Sequence, residues 1–410
     1  MITRHSGAKT NHFSRTFAAE SIRAVAAGLI ETGLATFGIL IVVARFDSSP
    51  VVKSILLGSP ALGLLASIFL VPFVARSGIR ASRAAAGVSL VSGAGFVFAA
   101  IGAESEICFT IGMTIGIGVI AMAIPLQTHY LRINYPNRNR GRLFSISILI
   151  RASTAMIASW LFGNYLDGNL DRYPVLLWWF AGASVLSAVC HWSVPSQPLE
   201  QSGKGSLIEN VRLTRSDTVF VKVLIAAMIL GIAVLSANAL RVDYLVSPVY
   251  GLNFDVKTVS LVTGIVPSFV RLLSTFFWGW LFDRVDFFRL RLAVNGIFLV
   301  GIVLYFMTSE VSLILIGSGL FGLARGGGEI MFNLFVTKLA AAGQIAQYMS
   351  VHTFLAGLRI VLAPFLGFFL VLYAGIPTMV GFVLVLVFLS MGVVISAGRD
   401  FRKRAESLKE

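Results

Sequence analysis

The chain has 410 residues, of which 57% are hydrophobic and only 13% charged; this excludes an ordinary water-soluble domain, where charged residues run near ~25%. A formal net charge of +14 would point to nucleic acid in a soluble protein. Here the basic side chains flank apolar stretches, so membrane lipid is the expected partner and nucleic acid is not.

Residues 1–18 are polar and lack the apolar core and small-residue cleavage site of a signal peptide, so the first span is expected to remain as an uncleaved anchor. Six apolar stretches follow at 19–44, 52–74, 83–103, 107–130, 143–166 and 173–194. Six more lie at 219–247, 257–282, 292–308, 311–337, 347–373 and 376–397. Their typical length, about 20 residues, suits a ~30 Å hydrocarbon core. The segment 195–218, with Ser196-Gln197-Pro198 and Gln201-Ser202-Gly203-Lys204-Gly205, has the composition of a linker. Residues 398–410 form a basic tail. Only helices or closed barrels satisfy their backbone in lipid, and no alternating strand pattern competes. The sequence therefore predicts an all-α membrane protein of twelve transmembrane helices in two pseudo-symmetric six-helix bundles, 19–194 and 219–397.

Basic residues occupy alternate gaps. One set holds Arg76, Arg80 and Arg83; Arg132, Arg138, Arg140 and Arg142; Lys204, Arg212, Arg215 and Lys222; Arg284, Arg289 and Arg291; and Lys338. The tail and the N-terminal segment add more. The opposite gaps hold only Arg45, Lys53, Arg172 and Lys257. Such a bias places the richer side and both termini in the cytoplasm, as in a multi-pass protein of a bacterial inner membrane. The two cysteines, Cys108 and Cys190, offer neither a disulfide framework nor a metal cluster.

The eighth stretch ends on Gly279-Trp280-Leu281-Phe282-Asp283-Arg284, with Arg289 and Arg291 just beyond. This resembles the G-x-x-x-D-R motif that the major facilitator superfamily carries between its second and third spans and repeats between its eighth and ninth. The resemblance implies a cytoplasmic gate in which an aspartate at a helix end pairs with basic residues. The matching first-half segment keeps Arg76, Gly78 and Arg80 but lacks the glycine and the aspartate, so its gate is expected to be weaker or built differently. Gly279, Asp283, Arg284, Arg76, Gly78 and Arg80 are the expected gating residues. A looser echo links the halves: Gly116, Gly118 and Pro125 precede Arg151 as Gly322, Gly326-Gly327-Gly328 and Gly343 precede Arg359.

An ionisable side chain inside a span costs roughly 2.5–3.5 kcal/mol and usually faces a cavity or a partner. The candidates in the interiors of the predicted spans, away from their ends, are Glu31, Arg151, Arg241, Asp243, Arg271, Arg325, Glu329 and Arg359. The third, ninth and twelfth spans have no interior charge, and the sixth has only His191. In the family that the chain resembles, the third, sixth, ninth and twelfth spans are lipid-facing supports, so every charge falls on the set that lines the central cavity. Helical spacing aligns Gly264, Ser268, Arg271, Thr275 and Trp278 on one face, as it does Ser318, Gly322, Arg325, Glu329 and Asn333, and His352, Ala356, Arg359, Ala363 and Gly367.

Roles follow with alternatives open. Arg271, Arg359, Arg151, Arg325, Asn333 and His352 are candidates for binding substrate. Glu31, Glu329 and Asp243 are candidates for proton coupling, Glu31 first because a desolvated carboxylate titrates nearer neutrality; its alternative is a static salt bridge to an arginine. Arg325 and Glu329, four residues apart, can simply neutralise each other. Arg241 and Asp243 can merely line a rim. His129 and His352 have no second ligand at helical spacing and read as packing histidines rather than metal ligands. The glycine run 326–328 lacks a GxxxxGK[ST] pattern and reads as close packing or a hinge.

The resemblance implies a monomeric secondary active transporter without cofactor, moving a small solute by alternating access and coupled to protons or a second solute. Five interior arginines against three acids favour an anionic solute. Two alternatives stand: a proton-coupled drug or metabolite exporter, although the fifth span lacks the G-P-x-x-G-G pattern of that group, and a non-transporting sensor or scaffold. No HExxH, nucleophile elbow or paired-acid constellation suggests an enzyme.

Overall fold

The computed structural model describes residues 3–136, 140–199, 207–339 and 344–407. Arg138, Lys204 and Gly343 lie outside them. Ten membrane-length helices come first: α1 (His12–Ala44), α2 (Pro50–Ser77), α3 (Ala81–Ile101), α4 (Glu106–Asn134), α5 (Arg140–Leu166), α6 (Leu170–Ser193), α7 (Thr218–Val246), α8 (Val256–Arg284), α9 (Phe287–Phe306) and α10 (Val311–Leu339). The next, Gln347–Arg404, is 58 residues long, about 87 Å at the usual rise and nearly three times a hydrocarbon core. Gly375 breaks it at φ 78° and ψ 170°, a conformation that requires glycine, and Pro377 follows. It is therefore two spans, α11 (347–374) and α12 (376–404), and the expected twelve-helix fold is present.

Local chemistry sets the boundaries. Ser49 caps α2 by accepting from the Val52 amide, with Pro50 at the first helical position, and Gly78 ends it in the left-handed region at φ 65°. Asp217, Asp255 and Asp286 cap α7, α8 and α9. The Asp286 cap starts α9 at Phe287, ahead of the expected 292, and so brings Arg289 and Arg291 into its first turns. The linker contains a short amphipathic helix, Leu207–Thr214.

Packing divides the chain into two compact units. The first comprises Met1–Ser202 with Leu245–Ile265. Within it α3 lies along α6 and α4, α1 along α5 and α6, and α2 along α4. The start of α8 joins this unit through α5: the Ser260 hydroxyl donates to the Ser159 carbonyl, and a Cβ at Gly264 would sit 2.4 Å from Ser159 Oγ. Two π-helical turns also meet here, Gly33–Phe37 of α1 and Leu261–Ile265 of α8, with the buried Thr36 and Thr263 hydroxyls 3.0 Å apart.

The second unit comprises Gly203–Tyr244 and Val266–Glu410. In it α7 packs along the C-terminal helices, α9 along α10, and α8 along α10. Of the glycine run, expected to be close packing or a hinge, Gly326 and Gly327 pack closely and Gly328 faces open space. A Cβ on Gly327 would lie 2.8 Å from Trp278 and from Val294, while Trp278 Nε1 donates to the Leu323 carbonyl at 2.8 Å.

Candidate functional site

In the first unit the site begins with Gly28. A Cβ there would lie 2.5 Å from the Arg151 carbonyl and 2.7 Å from Thr154 Cβ, so only glycine lets α1 and α5 approach this closely. Glu31 follows Gly28 by three residues on the same face, and its carboxylate meets Arg151 Nε at 3.2 Å. Both side chains are partly exposed, so this pair lies against neither a dry core nor a fully open surface.

The second unit holds a trio. Arg271 of α8 and Arg325 of α10 converge on one oxygen of Glu329, at 3.2 and 3.1 Å. Arg271 is only 3% exposed whereas Arg325 is 54% exposed. The i,i+4 contact foreseen from sequence therefore forms, but a second arginine shares the acid.

Arg359 of α11 lies in a notch on α7: a Cβ at Gly231 would come within 2.3 Å of Arg359 Cδ and 2.5 Å of its Nε. One terminal nitrogen donates to the Ala227 carbonyl. Its Nε is buried and finds no hydrogen-bond partner among the described residues. His352 is buried on the same helix, with ring centroids 4.4 Å from Phe332 and 4.7 Å from Phe335. Asp243 is buried near the end of α7. Arg241 is boxed by the rings of Tyr305 (5.0 Å) and Phe321 (4.8 Å) and donates to Ser318 Oγ at 2.8 Å. The Asn333 side chain lies outside the described residues. Among the described residues no group of three His, Cys, Asp or Glu is placed to hold a metal.

At the end of α8, Arg284 folds back over Trp280, 4.5 Å from its ring, and donates to the Trp280 carbonyl at 3.3 Å. Lys338 of α10 donates to the Phe282 carbonyl at 3.4 Å. Two cations thus complement the negative end of the α8 dipole. Asp283 is exposed and makes no ion pair among the described residues, and Gly279 leaves an open approach with only Ile330 near. In the first unit, the segment lacking the motif's aspartate is tied instead to the start of the linker. The Ala81 amide donates to the Gln197 carbonyl at 3.4 Å and the Ser82 amide to Ser196 Oγ at 3.1 Å, beside the Arg80–Pro198 bridge. Arg76, Gly78 and Arg80 are exposed.

A further charged group in α1 escapes a reading of the sequence. Glu20 is 1% exposed. It receives two bonds from Arg23, at 2.9 and 2.5 Å, and one from Gln127 Nε2 at 2.7 Å. Nearby, the Tyr130 hydroxyl and His191 Nδ1 share a 2.9 Å hydrogen bond. Beyond the end of α4, burial and then the Glu20 carboxylate push the Tyr135 phenol above its ordinary range. The signal was present, a Glu and an Arg three residues apart. They stand in the first turns of the span, where charge is ordinary, and only the packing of α4 and α6 buries them.

The description "Major Facilitator Superfamily" matches residues 22–364. The chain belongs to the Major Facilitator Superfamily. Membership makes it a transporter rather than an enzyme, and accounts for the pairing of buried charge with membrane-length helices. Among solved superfamily structures, the nucleoside transporter NupG is similar at TM-score 0.71 and 14% identity, covering 95% of this chain and 99% of that one. A bacterial homolog of the human lysosomal transporter Spinster, inward-facing and occupied, is similar at 0.70 and 14%, covering 96% and 97%. The D-xylose-proton symporter is similar at 0.67 and 14%, covering 92% and 97%. At such identities the likeness is one of fold. No curated protein matches the chain.

Proposed function

We propose that this superfamily member is a proton-coupled secondary transporter of a small anionic solute, working by alternating access as a monomer in a bacterial inner membrane with both termini cytoplasmic. One observation carries the reading: the Arg359 guanidinium, inside a span, faces backbone carbonyl oxygen and no carboxylate among the described residues. Glu31 meets Arg151, and Glu329 meets both Arg271 and Arg325, whereas Arg359 sits in its notch on α7 against carbonyl oxygen.

Proton coupling follows from the first pair. Protonation of Glu31 removes the charge that holds Arg151 and leaves a guanidinium for an anionic group, by charge-assisted hydrogen bonds. Deprotonation restores the ion pair and expels the anion. Glu329 offers the same exchange to exposed Arg325, while buried Arg271 fixes the carboxylate in place. Asp283, Arg284, Arg76 and Arg80 are assigned to gating.

The test is uptake into proteoliposomes of matched anionic, neutral and cationic solutes, with thermal-shift binding on the same panel. Anionic solutes should be selected, and Arg359→Gln should abolish the selection. Equal response to all three classes, with Arg359→Gln unchanged, would overturn the reading. Retained flux in Glu31→Gln, still driven by a pH gradient, would remove Glu31 from coupling.

A further inference from the structure

The structure assigns a headgroup site for an anionic phospholipid to the basic end of the second unit, where the linker helix Leu207–Thr214 packs on the C-terminal pair α11 and α12. The site is independent of the solute and of its coupling. From its start at 376, α12 exhausts a hydrocarbon core in about 20 residues. Yet the helix continues to Ser407, so Arg399, Arg402, Lys403 and Arg404 emerge at headgroup level as exposed side chains.

The extension is fixed rather than loose. Lys222 of α7 pairs with Asp400 at 2.5 Å, and Asp217 receives Tyr348 at 3.3 Å and Arg404 at 3.6 Å. Those contacts engage the two central acids internally. Arg399, Arg402 and Lys403 remain outward on the extension, with exposed Arg212 and Arg215 at the linker helix, against exposed Glu209 and Glu406.

Two features select lipid over a soluble polyanion. The linker helix exposes Val211 (44%) and Leu213 (38%) directly beside Arg212, the mixture of apolar and basic side chains that lies in a membrane interface. The cations also follow within a few turns of the about 20 residues that cross a hydrocarbon core, where a headgroup layer begins. Asp217, just after the linker helix, holds Arg404 of the extension, so two segments distant in sequence bring their cations to one end of the unit, able to retain a phosphatidylglycerol-type headgroup beyond the general attraction of basic residues to anionic leaflets.

The full chain in phosphatidylcholine nanodiscs, with and without phosphatidylglycerol, provides the test. Phosphatidylglycerol should raise the unfolding temperature of the natural protein. A variant with Arg212, Arg215, Arg402 and Lys403 changed to Gln should lose more than half of that rise. Changing Arg15, Arg76, Arg83 and Arg132 to Gln, an equal loss of charge in the first unit, should leave the rise intact. Equal losses in the two variants would mean general surface charge and overturn the site, as would a full rise in the first. Should the first variant already be less stable in phosphatidylcholine alone, native mass spectrometry decides: fewer retained phosphatidylglycerol molecules than the natural protein supports the site, and the same number overturns it.

Discussion

Each carboxylate of the central ion pairs meets at least one guanidinium, and the geometry ranks the consequences of removing either partner. Glu31→Gln keeps the shape of the Glu31–Arg151 contact while removing the titrating group. It should abolish solute accumulation driven by a pH gradient but leave solute exchange at equal pH, read by counterflow in proteoliposomes. Arg359→Gln removes a charge-assisted contact of about 1.5–3 kcal/mol and should raise KM for the anion by at least tenfold, with the fold unchanged by thermal unfolding. The Glu20–Arg23 pair has a different signature. Glu20→Gln leaves a buried guanidinium uncompensated and should cost about 3–5 kcal/mol, measured by denaturant unfolding in detergent. Replacing both residues with apolar ones of similar volume should recover much of that loss, because the desolvation cost disappears with the pair.

Helices meet the site through missing side chains. At Gly28 a methyl would strike the Arg151 backbone at 2.5 Å, which rotamer changes cannot relieve. Gly28→Leu should therefore separate α1 from α5, pull Glu31 away from Arg151, and uncouple transport from the pH gradient at a stability cost of about 1–3 kcal/mol. Gly375→Ala tests the α11–α12 break: its backbone conformation admits little but glycine, so the substitution should cost about 1–3 kcal/mol in unfolding without changing KM. Most helices were legible because an apolar run of the right length bounded by charge admits few readings. Their ends were less so: Asp286 is a cap that advances α9 by a turn, and α12 continues beyond the apolar run because Lys222 and Asp217 hold its polar extension. The π-helical turns at Gly33–Phe37 and Leu261–Ile265 leave no mark in the hydropathy pattern, since one extra residue in a turn changes neither composition nor length.

At the scale of the whole chain, the sequence alone determined the class. Apolar length, alternating basic gaps and one G-x-x-x-D-R segment at the end of the eighth span suffice, because lipid allows a backbone few ways to cross. The same patterning identified Glu31, Arg151, Arg271, Arg325, Glu329 and Arg359 as charges inside the spans, since an ionisable group in an apolar run is expensive wherever it sits. Tertiary structure alone decided their partners. Which arginine reaches which acid depends on how closely two helices approach, and that is set by glycines such as Gly28 and Gly322 facing a neighbour far away in sequence. It likewise buried Glu20 against Arg23 and exposed Asp283, because burial and proximity are properties of packed neighbours rather than of position along the chain.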